Sequence, residues 1–357
     1  MPTISQPAHQ VLTLTDIVAD ATLDAAFAWL CQQRCDWPAD ADVWRFRQRW
    51  PVEQVRMREE LLAGTYEVGL LSRVTLQNGE EVDLWSARDA VVMKALALVL
   101  PQYLPLSMRC THLKGHGGLK SAVRQVLQQL PQHRFVLKTD VRSYYASIDH
   151  QLLLDRLAVY IADREVLNLI GQYLRWCAER GGLYWDYKQG IALGSPLSPM
   201  LGAFFLTEVD DALEHLGLFS VRYMDDILVL APTRWKLRQA VKIVNQVFAS
   251  LRLAKHPNKT FIGRIAKGFD FLGYHFSLDG LTVAKKTLAN FVARLRQLYE
   301  REPGEDSASS RLGDYVRGWT RWVLAGIPSE CPNPGLHAVR RGSLALLSCC
   351  RLQLFHF

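Results

Sequence analysis

Residues 221–230 read Val-Arg-Tyr-Met-Asp-Asp-Ile-Leu-Val-Leu, and this stretch decides the fold. Two runs of β-forming residues flank two adjacent aspartates, which predicts a strand, a tight turn and a second strand. Asn-Gly or Asp-Gly is usual at such a turn, whereas we expect this tip to hold two carboxylates, Asp225 and Asp226. Adjacent carboxylates repel each other and are costly to desolvate unpaired. Because hard cations such as Mg²⁺ prefer oxygen ligands, the stretch predicts either a cation site or a solvated acidic turn.

Length and composition place the chain among ordinary globular proteins. Its 357 residues are enough for two or three subdomains, and 49% are hydrophobic and 22% charged. The net charge of +7 fits a polyanion-binding surface without requiring one. The sequence has neither an apolar run long enough for a transmembrane helix nor a secretory signal at its N-terminus. We therefore expect a cytoplasmic protein with no membrane partner.

The seven cysteines predict no disulfide framework, because their number is odd and no signal peptide precedes them. Cys110, His112 and His116 lie close together in the sequence. No second ligand pair with zinc spacing follows them, so ordinary structural roles are expected there rather than a zinc site.

The first 64 residues show helical periodicity. Within them, residues 44–50 interleave Trp and Phe with Arg. Such a mixture can contact nucleic acid, but a helix with an aromatic core face and an arginine solvent face explains it equally well.

Residues 66–85 predict a β-hairpin with an Asn-Gly turn at 78–79. A long apolar helix is expected after it, and then a glycine-rich basic loop at 112–120. The backbone of such a loop, with Lys114 or Lys120, can approach phosphates closely. By itself this loop is a weak signal, since it matches no known phosphate-binding pattern.

Asp140 stands directly after the apolar strand predicted at 135–137, where a sheet presents functional groups to solvent. Asp149 is interpreted as the N-cap of the next helix. A second acidic pair, Asp210 and Asp211, lies at a polar helix end. We expect that pair to be solvated or to cap the helix.

Two glycines and two prolines within residues 189–199 predict a rigid loop, and Pro199 suits the first turn of a helix after it. Residues 268–276 predict a strand or hairpin with a glycine at its bend. Residues 285–327 are helical and basic on one side, and an acidic, serine-rich break is expected at 302–310. Residues 328–357 show no clear pattern.

Five of these segments occur in the order of the palm motifs of reverse transcriptases: 135–150, 190–206, 222–230, 256–259 and 269–274. The chain resembles that family over roughly residues 65–280, with a weaker thumb-like similarity to about 325. It is most similar to the bacterial enzymes related to group II intron reverse transcriptases, which include defence-associated groups.

The resemblance implies an α+β fold, that of a right-hand polymerase with fingers, a palm built on an antiparallel sheet backed by helices, and a small helical thumb. The expected domains are a helical extension, fingers with palm, a thumb-like region and an unassigned tail: 1–64, 65–284, 285–327 and 328–357.

The resemblance also implies a metal site. Asp140 and Asp225 would bridge two Mg²⁺ ions, for which Mn²⁺ can substitute, and the carbonyl of Val141 would add a ligand. Asp226 would support them less directly. Lys259 matches the lysine that protonates or neutralises the leaving pyrophosphate, although a plain exposed loop lysine is the alternative.

Nucleotide contacts follow from the same resemblance. Tyr145 matches the steric gate that excludes a ribose 2′-OH, whereas simple aromatic packing suits Tyr144 better. Arg73 and Lys114 are candidates for contacts with the triphosphate. Gly194 is the glycine that permits close approach of the nucleotide.

Two further features concern nucleic-acid handling. The family's primer grip corresponds to four consecutive residues: Phe271, Leu272, Gly273 and Tyr274. The chain departs from the family before Gly194, where Ala192 and Leu193 replace the usual Pro-Gln. Leu193 cannot form the hydrogen bonds of a glutamine, so fidelity, template preference or processivity is expected to differ.

The implied activity is RNA-directed DNA synthesis, a nucleotidyl transfer that uses dNTPs, an RNA template and a DNA or RNA primer. One alternative is the same core dedicated to antiphage defence with a specific non-coding RNA. Another is an RNA-binding or splicing-assistance module with little polymerase activity. The three intact aspartates argue against that module, since a pure binder gains nothing from converging carboxylates.

Overall fold

The structure, a computed structural model, describes residues 11–75, 81–300 and 305–327. The described helices, in chain order, are α1 Leu14–Ile17, α2 Asp20–Gln33, α3 Asp42–Gln48, α4 Trp50–Leu62, α5 Ala87–Val99, α6 Gly118–Gln129, α7 Tyr144–Ser147, α8 His150–Ala158, α9 Arg164–Leu174, α10 Ser198–Phe205, α11 Thr207–His215, α12 Arg234–Ser250, α13 Lys285–Glu300 and α14 Glu305–Gly326. The described strands are β1 Leu71–Thr75, β2 Glu81–Leu84, β3 Phe135–Thr139, β4 Cys177–Arg180, β5 Leu183–Asp186, β6 Phe219–Tyr223, β7 Asp226–Ala231, β8 Phe261–Arg264, β9 Phe269–Phe271, β10 Tyr274–Ser277 and β11 Gly280–Val283.

The chain divides into two compact units and passes between them at five points. Unit 1 consists of Met1–Ser107, Val141–Glu208 and Gln246–Ala254, and unit 2 of Met108–Asp140, Val209–Asn245 and Lys255–Phe357. Helices and strands occur together in both, which is a mixed α and β architecture. The domain boundaries drawn from the sequence at 64, 284 and 327 stay a prediction.

Unit 1 contains one four-stranded sheet, in the order β2-β1-β4-β5. The predicted first hairpin is present, because β1 pairs antiparallel with β2 from Ser72 opposite Leu84 to Thr75 opposite Glu81. Its first strand begins later than expected, at Leu71, and its Asn-Gly turn at 78–79 lies outside the described residues. The β1–β4 pair is parallel.

The aromatic residues near the N-terminus form part of the core of unit 1. Phe46 and Trp50 are both buried, and the Trp50 ring stacks on Phe27 with centroids 4.2 Å apart. The arginines between them, Arg45, Arg47 and Arg49, are exposed. The sequence allowed two explanations for residues 44–50, a nucleic-acid contact or a helix with an aromatic core face and an arginine solvent face. The structure shows the second arrangement.

Unit 2 contains a four-stranded antiparallel sheet in the order β6-β7-β3-β8 and a three-stranded sheet in the order β11-β10-β9. A single apolar cluster joins them, with Val123 of α6, Val136 of β3, Leu228 of β7 and Phe271 of β9 among its members. The strand predicted at 135–137 is β3, one of the two inner strands of this sheet, so its end presents Asp140 beside the start of β7.

Three further features bear on the expectations from the sequence. The predicted break at 302–310 is too long, since α14 already begins at Glu305; the tail at 328–357 lies outside the described residues. The described cysteines are Cys31, Cys35, Cys110 and Cys177, and all four are free thiols. No helix in the described part of the chain is long and apolar enough to cross a membrane.

Candidate active site

The turn between β6 and β7 differs by one residue from its predicted form. Tyr223 pairs with Asp226, so the two turn residues are Met224 and Asp225, and Asp226 is the first residue of β7. The expectation that both aspartates form the tip is therefore wrong for Asp226. Met224 has a φ of +56°, a left-handed conformation that is uncommon for a residue with a long side chain.

Two side chains hold this turn at its backbone. The Met224 N–H donates to His112 Nδ1 at 3.1 Å, and its carbonyl accepts from Arg222 Nη1 at 2.9 Å. His112 Nδ1 is thus the acceptor for the N–H of Met224. Cys110 Sγ lies 3.2 Å from the same nitrogen. The Cys110–His112 pair thus lies against the backbone of this turn.

Arg222 and Asp210 form a fully buried ion pair. Arg222 Nε lies 3.1 Å from both carboxylate oxygens of Asp210, and its Nη2 lies 2.5 Å from Oδ2. The prediction that Asp210 is solvated or caps a helix is wrong, because only 1% of its surface is exposed. Its burial depends on a partner twelve residues later in the chain, and the only sequence signal is an arginine within an apolar strand.

Asp140 lies at the end of β3, next to the start of β7. Thr139 pairs with Ile227, so Asp140 and Asp226 belong to neighbouring antiparallel strands at the same edge of the sheet. The backbone carbonyl of Asp140 accepts from the N–H of His256 at 2.8 Å. Its carboxylate accepts from Lys259 Nζ at 2.7 Å. We call Asp140, Asp225, Asp226 and Lys259 the aspartate cluster.

Two acids of this cluster, Asp225 and Asp226, have a raised pKa. Burial raises the pKa of Asp225 to about 6, and the charges of Asp140 and Asp226 add to the effect. The pKa of Asp226 is also raised, first by burial and then by Asp140. The hydrogen bond to Asp140 raises the pKa of Lys259, which therefore stays protonated at neutral pH. The cluster thus has an excess of negative charge.

Carboxylate oxygens are the donors that a hard divalent cation requires, so the residues fit Mg²⁺ by their chemistry. Within residues 11–75, 81–300 and 305–327, however, no group of three or more His, Cys, Asp and Glu side chains converges closely enough to hold a metal ion. Carboxylates at ligand distance repel one another unless a cation lies between them, and here the ammonium of Lys259 neutralises Asp140. The buried Val141 follows Asp140 in the chain and belongs to unit 1.

Tyr144 and Tyr145 differ in their surroundings within unit 1. Tyr144 is buried and its hydroxyl donates to the carbonyl of Gly202 at 2.5 Å, so it packs as expected. Tyr145 is half-buried. A Cβ at Gly202 would lie 3.1 Å from Cε1 of Tyr145, which means that the ring rests against the glycine face of α10.

The loop at 189–199 supports Tyr145 through its backbone. The N–H of Ile191 donates to the carbonyl of Tyr145 at 2.8 Å. Gly190 has a φ of +90°, and a Cβ there would lie 2.9 Å from Cα of Ala146. No other residue fits this close approach of two backbones. Gly194 also has a positive φ, of +84°, with open space beside it.

Leu193 is 70% exposed. The chain therefore presents an apolar side chain at the position where the sequence departs from the family pattern. Any contact made there would be with a leucine rather than an amide.

The two candidates for triphosphate contacts, Arg73 and Lys114, differ in their surroundings. Arg73 forms two hydrogen bonds to the carboxylate of Asp83, at 2.8 and 2.9 Å. It also donates to the hydroxyl of Tyr187 and lies 4.2 Å from the centre of the Trp185 ring. Its guanidinium is thus already paired in unit 1. Lys114 is exposed on the glycine-rich loop of unit 2.

The segment proposed as the primer grip is a tight hairpin between β9 and β10. Phe271 pairs with Tyr274, and both turn residues, Leu272 and Gly273, have positive φ values of +48° and +84°. Positive values at both positions are typical of a type I′ turn. The side chains of Phe271 and Tyr274 are buried, and the carbonyl of Gly273 accepts from the N–H of Ala284 at 3.0 Å and from the hydroxyl of Thr287 at 3.1 Å.

Lys120 does not line the glycine-rich loop as a phosphate ligand would. Its ammonium lies 3.6 Å from the centre of the Trp322 ring and 2.5 Å from the Tyr274 hydroxyl. Burial lowers the pKa of Lys120 to about 8. This lysine links α6, the β9–β10 hairpin and α14, and of the two lysines considered for phosphate only Lys114 is exposed.

The family model described as "Reverse transcriptase (RNA-dependent DNA polymerase)" matches residues 89–276, more than half of the chain. The chain belongs to the reverse transcriptase family. The matched region contains all four residues of the aspartate cluster, Tyr145 and the turn between β9 and β10.

Individual relatives of this reverse transcriptase are distant. It is 24% identical to Protein YkfC of Escherichia coli over 275 residues, which cover 63% of this chain and 71% of YkfC. It is 25% identical over 182 residues to the "Putative COX1/OXI3 intron 1 protein" of Saccharomyces cerevisiae, covering 49% of this chain and 21% of that one. A chain of the solved "Partial Cas6-RT-Cas1–Cas2 complex" is 19% identical, with a TM-score of 0.41, covering 67% of this chain and 41% of that one.

Proposed function

We propose that this reverse transcriptase synthesises DNA from dNTPs on an RNA template, starting from a DNA or RNA primer. The observation that supports this most directly is the aspartate cluster. Three acids come from two adjacent strands and the turn between β6 and β7, and one lysine is paired with the most buried acid. Nothing in the packing of the sheet requires this excess of negative charge.

A right-hand architecture follows as part of the proposal. The four-stranded sheet of unit 2 would be the palm, the sheet of unit 1 would belong to the fingers, and α13 with α14 would form the thumb. The proposed boundaries remain 65–284 for fingers with palm and 285–327 for the thumb.

In this proposal Asp140 and Asp225 would hold two Mg²⁺ ions, with Asp226 and the carbonyl of Val141 in support. Bound cations of this kind stabilise the charge that develops on the attacking and leaving oxygens of a phosphoryl transfer. The role of Asp225 requires its ionised form, because a protonated carboxyl is a poor cation ligand.

The other side chains would position the substrates. Lys259 carries a positive charge beside Asp140, where it would neutralise the leaving pyrophosphate. Tyr145, fixed by Gly202 and the backbone of residues 190–191, would exclude a ribose 2′-OH by its bulk. The turn at Leu272 and Gly273 would seat the primer end through its backbone.

The test is primer extension by the purified protein with poly(rA), oligo(dT), dTTP and Mg²⁺, compared between wild type, Asp225→Asn and Asp279→Asn. Asp279 lies on an exposed turn, so its substitution is the matched control for loss of one carboxylate. We expect extension by wild type and Asp279→Asn and none by Asp225→Asn, with RNA binding equal in all three.

Extension by Asp225→Asn at the wild-type rate would contradict the role of the aspartate cluster. A different result is a wild-type protein that binds RNA but extends no primer, either on poly(rA) or on the RNA that co-purifies with it. That result would support an RNA-binding module.

A further inference from the structure

A basic surface lies on unit 2, away from the aspartate cluster. A groove of about 540 Å³ runs between α12 and the edge strand β8. Its walls include four cations: Arg234, Arg238, Arg264 and Lys267. We call this surface the basic groove.

The charge of the basic groove is not neutralised from within. All four cations are exposed, and no Asp or Glu is among the residues that line the groove. In the described ranges of the chain, none of the four forms a salt bridge, whereas Arg73, Arg88, Arg156 and Arg222 all do. An external anion is the partner that these side chains lack.

The sequence around the groove has the same bias. Between Asp226 and Asp270 there is no acidic residue, while nine are Lys or Arg. This segment alone therefore carries more positive charge than the net +7 of the whole chain. A composition of this kind concentrates the positive potential of the protein on one stretch.

The groove is separate from the site of the proposed reaction. Arg264 pairs with Phe135 at the start of β3, whereas Asp140 follows the end of that strand. Five residues of extended chain span about 16 Å, so Arg264 lies at the opposite end of these strands from Asp140, and Ile262, which pairs with Leu137, is the residue of the groove on β8 nearest to it. A ligand in the basic groove would not occupy the aspartate cluster.

The shape and chemistry of the groove fit a nucleic-acid backbone. Arg234 and Arg238 are one helical turn apart, which places their side chains about 6 Å from each other on one face. Between the walls lie apolar atoms of Leu237 and of Ile262, which is 46% exposed. Trp235, 62% exposed on the same helix, offers a ring on which an unpaired base can stack.

We propose that the basic groove binds the sugar-phosphate backbone of single-stranded RNA, as an anchor outside the catalytic site. The choice of RNA among polyanions rests on the proposed function, while the need for a polyanion rests on the groove alone. Such an anchor would hold the part of an RNA that is not being copied.

The test compares RNA binding by three full-length proteins: wild type, a groove variant and a control variant. The groove variant carries Arg234→Gln, Arg238→Gln, Arg264→Gln and Lys267→Gln. The control variant carries Arg45→Gln, Arg56→Gln, Arg124→Gln and Arg164→Gln, which also removes four exposed positive charges. Fluorescence anisotropy with a labelled single-stranded RNA measures affinity across a salt series, without dNTPs.

We expect the groove variant to bind at least about tenfold more weakly, and the slope of log K against log salt to fall by about 3, since each lost phosphate contact on a single strand contributes about 0.7. The control variant should keep the wild-type slope to within about 1. Equal losses in the two variants would overturn the proposal. So would a groove variant that loses binding of labelled poly-glutamate but keeps its RNA affinity, because the groove would then take an acidic peptide.

A second measurement keeps the proposal testable if the groove variant folds poorly. Photo-crosslinking of wild type with 4-thiouridine RNA should label peptides that contain residues 234–241 or 262–267. Absence of both peptides among the crosslinks would overturn the proposal. Failure of this proposal and failure of the proposed function give different results. If only the RNA anchor is wrong, the protein still extends primers; if only the polymerase function is wrong, the groove peptides still crosslink to RNA.

Discussion

At the scale of single residues, Asp225 is a proposed metal ligand whose ionised carboxylate lowers the stability of the folded protein. Its pKa is raised to about 6 because it is partly buried beside two other acids. A carboxyl whose pKa is higher in the folded than in the unfolded state contributes stability at low pH and loses it as the pH rises through the folded pKa. At pH 7.5 in the absence of divalent cations, its ionised form therefore opposes folding.

We predict that Asp225→Asn stabilises the protein in EDTA at pH 7.5 by about 1–2 kcal/mol, although it abolishes synthesis. The gain should shrink as the pH falls from 6 to 4, because the wild-type carboxyl is then protonated too. Urea unfolding at several pH values measures it, with Asp279→Asn as the control that should change little. A destabilised Asp225→Asn at pH 7.5 would contradict the electrostatic account.

Tyr145 provides a second prediction at this scale. Tyr145→Ala should raise the incorporation of ribonucleotides relative to deoxynucleotides by about tenfold or more, a difference of about 1.4 kcal/mol or more in transition-state energy. Tyr145→Phe keeps the bulk of the ring and should keep the wild-type selectivity. The ratio of kcat/KM for dTTP and UTP measures both. An unchanged ratio in Tyr145→Ala would remove the gate role.

At the scale of elements, the Arg222–Asp210 pair connects β6, α11 and the turn between β6 and β7. Arg222→Met should destabilise the protein by about 3–5 kcal/mol, because it leaves the buried carboxylate of Asp210 unpaired. The double variant Arg222→Met with Asp210→Leu should recover most of that stability. It should not recover activity, since the hydrogen bond to the Met224 carbonyl stays lost.

Urea unfolding and primer extension of the two variants separate these effects. If activity returned together with stability, Arg222 would be needed only for folding and not for positioning the turn.

The packing of α14 gives another prediction for elements. A Cβ at Gly326 would lie 2.5 Å from Cζ of Tyr274, a buried ring, so Gly326→Ala should destabilise the protein by about 1–3 kcal/mol. Gly318 lies in the same helix with open space beside it, and Gly318→Ala should stabilise by about 0.5–1 kcal/mol. Thermal unfolding compares the pair, and equal effects would mean that α14 does not pack on Tyr274.

The sequence predicted the elements that local patterns determine. Runs of β-forming residues marked the β6–β7 hairpin, a short apolar run marked β3, and Pro199 marked the start of α10. It misplaced the turn by one residue, because a positive φ is not expected at a methionine. The burial of Asp210 and the packing of Lys120 were missed for a different reason, since both depend on partners from distant segments.

At the scale of the whole molecule, the helices before residue 64 are part of unit 1. Arg34 donates to the carbonyl of Trp85 at 2.8 Å, Asp42 accepts from the N–H of Ala87, and Glu60 pairs with Arg88 at 2.5 Å. Leu23 and Met57 are fully buried. These contacts bind α2, α3 and α4 to the segment that leads into α5.

Deletion of residues 1–64 should therefore give an insoluble or molten protein, because it uncovers the apolar face of α5. Soluble yield and the cooperativity of thermal unfolding measure this. Co-expression of residues 1–64 as a separate chain should restore part of the soluble yield. A truncated protein that is soluble and melts cooperatively by itself would contradict the prediction.

The five passages of the chain between the units have a consequence for biosynthesis. Strand β1 is complete at residue 75, but its parallel partner β4 starts at Cys177, about 5–20 s later at ordinary rates of translation. During that interval the ribosome also delivers the first segments of unit 2. Unit 1 cannot finish folding before residue 254 has been made, and the nascent protein exposes an unpaired edge of β1 until β4 has been made. Chaperone demand, rather than final stability, should limit its yield in cells.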